Sequence, residues 1–223
     1  MPTLPHARKP ILCYVTDRLA LADPVALGAF IRRAAEAGLD WIQVREKDLD
    51  ARPLAEVVRS ALAETRETGA RILVNDRLDV ALAAGAAGVH LAEASIPLEI
   101  VAEWRRAAGR KQFLIGVSCH SPDASRAAER GGADYVFFGP VFATPSKAAF
   151  GPPQGIERLR EVCAAVKIPV LAIGGITPEN AGRCLEAGAA GIAAIRLFQE
   201  SPDVAVTVMR ARGGLPRGAT SNP

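Results

Sequence analysis

Lysine, arginine, amide and hydroxyl side chains recur at a few points along this chain, and their spacing suggests one kind of chemistry. Gln43, Arg45 and Lys47 alternate with Val44 and Glu46, so on an extended segment the first three share one face. Three polar groups side by side suit phosphate oxygens. The plainer alternative is a polar packing layer with Arg45 paired to Glu46 or Asp76. Asn75-Asp76 closes an apolar run. Asp76 would either cap the next helix or hold Mg2+, which takes one or two protein carboxylates together with phosphate oxygens and water. Ser118-Cys119-His120 ends a second apolar run, and His90 to Ser95 a third. Thr144-Pro145-Ser146-Lys147 adds two hydroxyls and an ammonium, in a Gly/Pro-rich stretch reaching Gly155 that is long enough to close over a ligand. Gly174-Gly175-Ile176-Thr177 and Ile195-Arg196 offer backbone amides, with glycines that allow a phosphate to come close. Arg45, Lys47 and Lys147 are the cations of this set, so the substrate should be strongly anionic, such as a diphosphate and a separate monophosphate. These residues support a phosphate-ester enzyme with two phosphate sites, and a magnesium dependence if Asp76 holds the ion rather than capping the helix.

They can act together only if the fold collects them, and the chain's repetition indicates how. Four segments resemble one another: EAGLDWIQVRE from Glu36, AAGAAGVHLAE from Ala83, RGGADYVFFGP from Arg130 and EAGAAGIAAIR from Glu186. Each reads as a helix end, a glycine that relieves a left-handed cap, and a short β-prone run. The glycines, Gly38, Gly85, Gly132 and Gly188, are spaced 47, 47 and 56 residues apart. Between them lie four continuous apolar runs, ILCYVTD from Ile11, RILVND from Arg71, FLIGVS from Phe113 and PVLAIGG from Pro169, as expected of strands buried on both faces. Asp23-Pro24, Ser121-Pro122-Asp123, Thr177-Pro178-Glu179 and Ser201-Pro202-Asp203 read as helix starts, a capping side chain followed by proline. Alternating strands and helices, about eight of each, predict a single (β/α)8 barrel over residues 10–212, with tails at 1–9 and 213–223. A doubly wound open sheet would need a glycine-rich phosphate turn after the first strand, and YVTDRLALADP has none. In a barrel, every residue singled out above falls at the C-terminal end of a strand, where barrel chemistry is done.

Composition narrows the partners. The 223 residues carry 27 Lys+Arg against 24 Asp+Glu, a net charge of +3 that argues for neither nucleic acid nor a membrane surface. Only 5% are aromatic, too few for a base-stacking platform. No apolar run approaches the roughly 18 residues of a membrane span. The start, MPTLPHARKP, lacks the apolar core of a secretory signal. Cys13, Cys119, Cys163 and Cys184 form no C-x-x-C pair and read as core thiols of a cytoplasmic protein rather than zinc ligands or disulfides.

Taken in order, the motifs resemble those of thiamine phosphate synthases and their paralogues: QVREK at 43–47, VND at 74–76, GVHL at 88–91, GVSCH at 116–120, GADYVFFGPVFATPSK at 132–147, AIGGI at 172–176 and GAAGIAAIR at 188–196. The resemblance covers Tyr14 to about Phe198 and implies a reaction. A hydroxymethylpyrimidine diphosphate loses pyrophosphate, and the ring nitrogen of a thiazole phosphate takes its methylene carbon. It implies that Gln43, Arg45, Lys47 and Asn75 bind the pyrimidine diphosphate, that Ser118 and Lys147 contact the same group, and that Asp76 holds Mg2+. Thr144 and Ser146, with the amides of Gly175, Ile195 and Arg196, would bind the thiazole phosphate. The expected partners are these two small molecules, with no nucleic acid or membrane; homo-oligomerisation stays open.

One position departs from the family pattern H-x-G-Q-x-D. Here His90-Leu91-Ala92-Glu93-Ala94-Ser95 has serine in place of the second magnesium carboxylate, and Glu93 is the expected substitute. The departure keeps two further readings open. One is the tautomerase paralogue, which moves a proton on a thiazole carboxylate phosphate without metal, with His120 as acid and base. The other is a barrel that binds thiazole or thiamine phosphate without turnover. His90 is expected only to pack at a strand end, and His6 to lie in the tail.

Overall fold

Strand pairing decides the architecture. In a computed structural model of the chain, which describes residues 9–21, 23, 26–92, 95–144 and 152–213, eight parallel strands close on themselves in the order β1-β2-β3-β4-β5-β6-β7-β8. They are β1 Ile11–Val15, β2 Trp41–Val44, β3 Arg71–Asn75, β4 Gly88–Leu91, β5 Leu114–Cys119, β6 Tyr135–Phe138, β7 Val170–Ile173 and β8 Gly191–Ala194. Helices α1 Leu27–Glu36, α2 Ala51–Glu64, α3 Leu78–Ala84, α4 Leu98–Ala107 and α5 Pro122–Gly131 follow the first five strands in turn. They are joined by α6 Gly155–Ala165, α7 Ala181–Glu186, the short α8 Arg196–Gln199 and α9 Val204–Ala211. The expected (β/α)8 barrel is the observed fold. The proposed tails fall almost wholly outside the described residues, as do His6 and Pro24.

Period-two alternation divides the strands into two cores. Residues such as Leu12, Tyr14, Ile42, Val44, Ile72 and Val74 point outward and are buried under the helices. The alternate residues, including Cys13, Val15, Leu73, Tyr135, Phe137 and Leu171, fill the barrel's interior. Helices dock by a stripe at helical spacing; in α1 it is Leu27, Phe30, Ile31, Ala34 and Ala35. Cys13, Cys119 and Cys184 are buried and Cys163 is half-buried, and burial raises all four thiol pKa values.

The repeated glycines take the left-handed conformation expected of them, with φ of +95° at Gly38, +80° at Gly85, +95° at Gly132 and +100° at Gly188. Ser121 caps α5 as expected, accepting from the Ala124 amide at 3.1 Å. Two helix starts differ from expectation. α9 is capped by Asp203, which accepts from Ala205 and Val206, rather than by Ser201. α7 begins at Ala181, because Asn180 closes the preceding Thr177-Pro178-Glu179 turn onto the Thr177 amide. Among the described residues, no helix is long and apolar enough to cross a membrane.

Candidate active site

β2 delivers the QVREK segment as its alternation requires, although the strand itself stops at Val44. Gln43 faces the barrel interior between Val15 and Leu73 and is 2% exposed. Its amide nitrogen donates to Asn75 Oδ1 at 2.9 Å, bringing together two of the residues predicted to act together. Gln43 Oε1 is buried and accepts from no group among the described residues. An interior otherwise so well satisfied rarely leaves a buried acceptor idle.

Arg45 and Lys47 continue past the strand, Arg45 half-buried and Lys47 exposed. The plainer pairing of Arg45 with Glu46 is not observed, because Glu46 is engaged elsewhere. At 5% exposure its carboxylate accepts from Thr16 Oγ1 at 2.5 Å, from the Arg18 amide at 3.1 Å and from the Arg18 guanidinium at 3.5 Å. The same Thr16 hydroxyl accepts from the Arg45 amide at 2.9 Å. Arg18 continues to Asp48 through two bonds of 2.7 and 2.6 Å, which hold the Arg guanidinium above and the Asp carboxyl below their usual pKa ranges. Thr16, Arg18 and Glu46 therefore lock the loop after β1 to the loop after β2 and fix the backbone from which Arg45 and Lys47 project. Sequence reading missed this scaffold; its signal was the outward parity of Glu46, a charge where alternation requires burial.

At the end of β3, Asp76 is exposed and holds a left-handed backbone, φ +64°. It does not cap α3, which the helix-cap alternative required. Instead its amide donates to the His90 carbonyl at 2.8 Å, and its carboxylate accepts from the Ser95 hydroxyl. Ser95 in turn accepts from the Ala92 amide at 2.7 Å. Ser95, where the resemblance would expect a carboxylate, thus meets Asp76 directly. Glu93 lies outside the described residues, and among those described no group of three His, Cys, Asp or Glu is placed to hold a metal ion.

His90 does more than pack. It stacks on Phe137 at 4.2 Å, but its Nε2 lies 2.9 Å from Ser118 Oγ and its Nδ1 3.2 Å from the Tyr135 hydroxyl. Burial alone lowers its pKa from 6.5 to about 3, so the ring is neutral. His120, at the end of β5, is exposed and donates through Nδ1 to the Gly139 carbonyl at 2.6 Å.

The loop after β6 and the turn after β7 meet. Thr144 Oγ1 accepts from the Arg196 guanidinium at 3.0 Å, and Gly175 lies against the same loop. Ser146 and Lys147 lie outside the described residues. The paired glycines have a reason of their own: a Cβ at Gly174 would sit 2.6 Å from Pro140 and one at Gly175 2.5 Å from the Ala143 carbonyl oxygen. Asn180, unrecognised in the sequence, holds this turn by donating to the Gly175 carbonyl at 2.8 Å and accepting from the Thr177 amide at 2.9 Å. A cavity of about 630 Å3 opens here, lined by Ala143, Gly175, Thr177, Arg196, Glu200 and Arg210 among others.

A closed eight-stranded parallel barrel with Arg45, Asp76, His120 and Thr144 following the C-terminal ends of its strands is a (β/α)8 barrel, the class of fold whose enzymes work at that rim. The profile of one family, described as thiamine monophosphate synthase, matches residues 12–198, and the chain belongs to that family. It is 47% identical over 192 residues to a putative thiamine-phosphate synthase of Geobacter sulfurreducens, covering 86% of this chain and 88% of the relative. It is 44% identical over 182 residues to the thiamine-phosphate synthase of Moorella thermoacetica, covering 82% and 85%. A solved thiamine phosphate pyrophosphorylase from Pyrococcus furiosus superposes with a TM-score of 0.80 at 36% identity, covering 93% of this chain and 96% of that one.

Proposed function

We infer that this chain is a transferase that joins 4-amino-2-methyl-5-hydroxymethylpyrimidine diphosphate to 4-methyl-5-(2-phosphooxyethyl)thiazole, giving thiamine phosphate and pyrophosphate. The observation that carries this reading to the site is the idle Gln43 Oε1 beside Asn75. A buried acceptor calls for a donor, and the exocyclic amine of the pyrimidine supplies one. With the ring held by Gln43 and Asn75, the diphosphate lies toward Arg45 and Lys47, and Ser118 and Lys147 complete its contacts. Thr144, Ser146 and the amides of Gly175, Ile195 and Arg196 take the thiazole phosphate.

The bond between the pyrimidine methylene carbon and the diphosphate oxygen breaks, and its electron pair leaves with pyrophosphate. The lone pair of the thiazole nitrogen forms the new carbon–nitrogen bond. Negative charge grows on the leaving group, and preplaced cations and hydroxyl donors contribute most where charge develops. The Thr16–Glu46–Arg18 scaffold holds the backbone at Arg45 before substrate arrives, so less reorganisation remains for the reaction itself.

The Asp76 carboxylate and the Ser95 hydroxyl oxygen, in direct contact, are hard oxygen donors of the kind Mg2+ takes beside phosphate oxygens and water. Asp76 would hold the ion, with Glu93 as the second carboxylate. The chemistry that a Mg2+ ion would supply there is charge neutralisation on the departing diphosphate.

Incubation with both substrates and Mg2+ tests the reading: thiamine phosphate and pyrophosphate should form in equal amounts. Ligand binding without either product would leave a non-catalytic barrel, and metal-independent proton exchange on a thiazole carboxylate phosphate would leave a tautomerase. An unchanged metal requirement in Glu93→Gln would remove Glu93 as a ligand.

A further inference from the structure

Inside the barrel, three side chains from adjacent strands form a line that ends at the site: Tyr135 on β6, His90 on β4 and Ser118 on β5. The line is rigid. The phenol lies against Gly116, where a Cβ would come within 2.1 Å of Tyr135 Cζ, and Trp41 packs on the Tyr135 ring itself at 4.7 Å between ring centroids. The imidazole is wedged against Phe137. Among the described residues, no carboxylate pairs with His90, and His90 is the single hydrogen-bond partner of the buried Tyr135 hydroxyl.

We infer that His90 is a positioning residue whose tautomer, set by Tyr135, points the Ser118 hydroxyl proton out toward the diphosphate. The argument is one of donors and acceptors. A buried phenol has one proton and must place it on an acceptor. If Nδ1 carried the ring proton, it would donate to the phenol oxygen and leave the phenol's own proton with no acceptor. The phenol therefore donates to Nδ1, and the neutral ring carries its proton on Nε2. Nε2–H then donates to Ser118 Oγ. With its oxygen accepting from within, the serine keeps its own proton for an acceptor on the open side, as a phosphate donor requires. In the opposite tautomer Nε2 would accept from Ser118, and the hydroxyl proton would point inward, away from substrate. This inference rests on the assignment of Ser118 to the diphosphate contact.

Two measurements on the full chain test it. Nitrogen NMR of the uniformly labelled wild-type protein reads which ring nitrogen of His90 is protonated, whatever reaction the enzyme performs; the proton should be on Nε2, and a proton on Nδ1 would overturn the inference. Kinetics then separate two amide substitutions. In His90→Gln the amide nitrogen reaches the Nε2 position and still donates to Ser118, so kcat should stay within about threefold of wild type. In His90→Asn the shorter amide meets Tyr135 but leaves Ser118 unheld. There kcat should fall about tenfold to a hundredfold, with KM for the thiazole phosphate unchanged and no further loss when combined with Ser118→Ala. Equal losses in the Gln and Asn variants, or an additive loss with Ser118→Ala, would mean that His90 serves the core alone. If His90→Asn does not fold, Tyr135→Phe takes its place: it frees the tautomer, and an unchanged kcat there would also overturn the inference. Wild-type turnover in Ser118→Ala would sink the diphosphate assignment instead and leave the NMR result standing.

Discussion

His90 places an acid limit on the stability of this barrel. Its ring is 1% exposed, bonded to two neutral hydroxyls, and burial brings its pKa from 6.5 to about 3. The unfolded chain gains a proton near pH 6.5 that the folded chain refuses until about pH 3. The folded pKa is the lower one for a group that charges on protonation. Its stabilising contribution is therefore whole above the upper value and drains away as pH falls through the interval. Between about pH 7.5 and about pH 5 the folded ring stays neutral, so the loss follows the titration of the free imidazole. That is about 1.5 decades at about 1.36 kcal/mol each, or about 2 kcal/mol. Urea unfolding followed by the fluorescence of Trp41 and Trp104, in wild type and His90→Gln, gives the comparison. The amide has no proton to gain, so the variant should lose about 2 kcal/mol less than wild type on acidification. Parallel pH dependences would show that the native ring is wetted or charge-paired, and the reasoning from burial would fail.

Arg45→Ala should weaken binding of the pyrimidine diphosphate by about 2–5 kcal/mol, read as a raised KM, while the melting temperature barely moves; wild-type kinetics would remove Arg45 from the site. Asp76→Asn should raise the Mg2+ concentration for half-maximal activity at least tenfold, whereas Ser95→Asp should lower it, and a metal response untouched by either change would place the ion elsewhere. Asn180→Ala removes both bonds that hold the turn after β7. It should cost about 1–2 kcal/mol of stability and raise KM for the thiazole phosphate selectively; an equal rise for both substrates would contradict the division of the mouth into two phosphate sites.

The barrel was legible because it repeats. Helix end, left-handed glycine and apolar run recur four times with the same physical cause, and all four glycines adopt the conformation that cause requires. What alternation does not specify is where a polar residue beside a proline will act. Thr177-Pro178-Glu179 and Ser121-Pro122-Asp123 look alike as helix starts, yet only Ser121 caps. The first instead forms a turn tied down by Asn180, because the Gly174-Gly175 segment before it must pack against Pro140 and Ala143. That constraint comes from another strand's loop, 30 or more residues away in the chain, and no local pattern carries it.

Part of the geometry at the strand ends was legible for a related reason. Pairs one strand apart, such as Gln43 with Asn75, follow from parallel register, since equivalent strand ends lie side by side. Interactions that cross the parity rule did not follow. Glu46 points outward, where alternation calls for an apolar side chain, and its burial makes sense only once Thr16 and Arg18 arrive from β1 to satisfy it. Ser95 is the instructive case. Two carboxylates facing each other without a cation repel, and such a pair needs its metal to hold the loop. A serine reverses that sign: its hydroxyl donates to Asp76 and accepts from the Ala92 amide, so the loop end at Ser95 is tied to Asp76 with no ion bound. An ion held by Asp76 would then displace a hydrogen bond rather than relieve a repulsion. On the magnesium site proposed above, a serine at this position would weaken the ion's hold, the more so if Glu93 does not supply the second carboxylate, without removing the groups that bind the two phosphates.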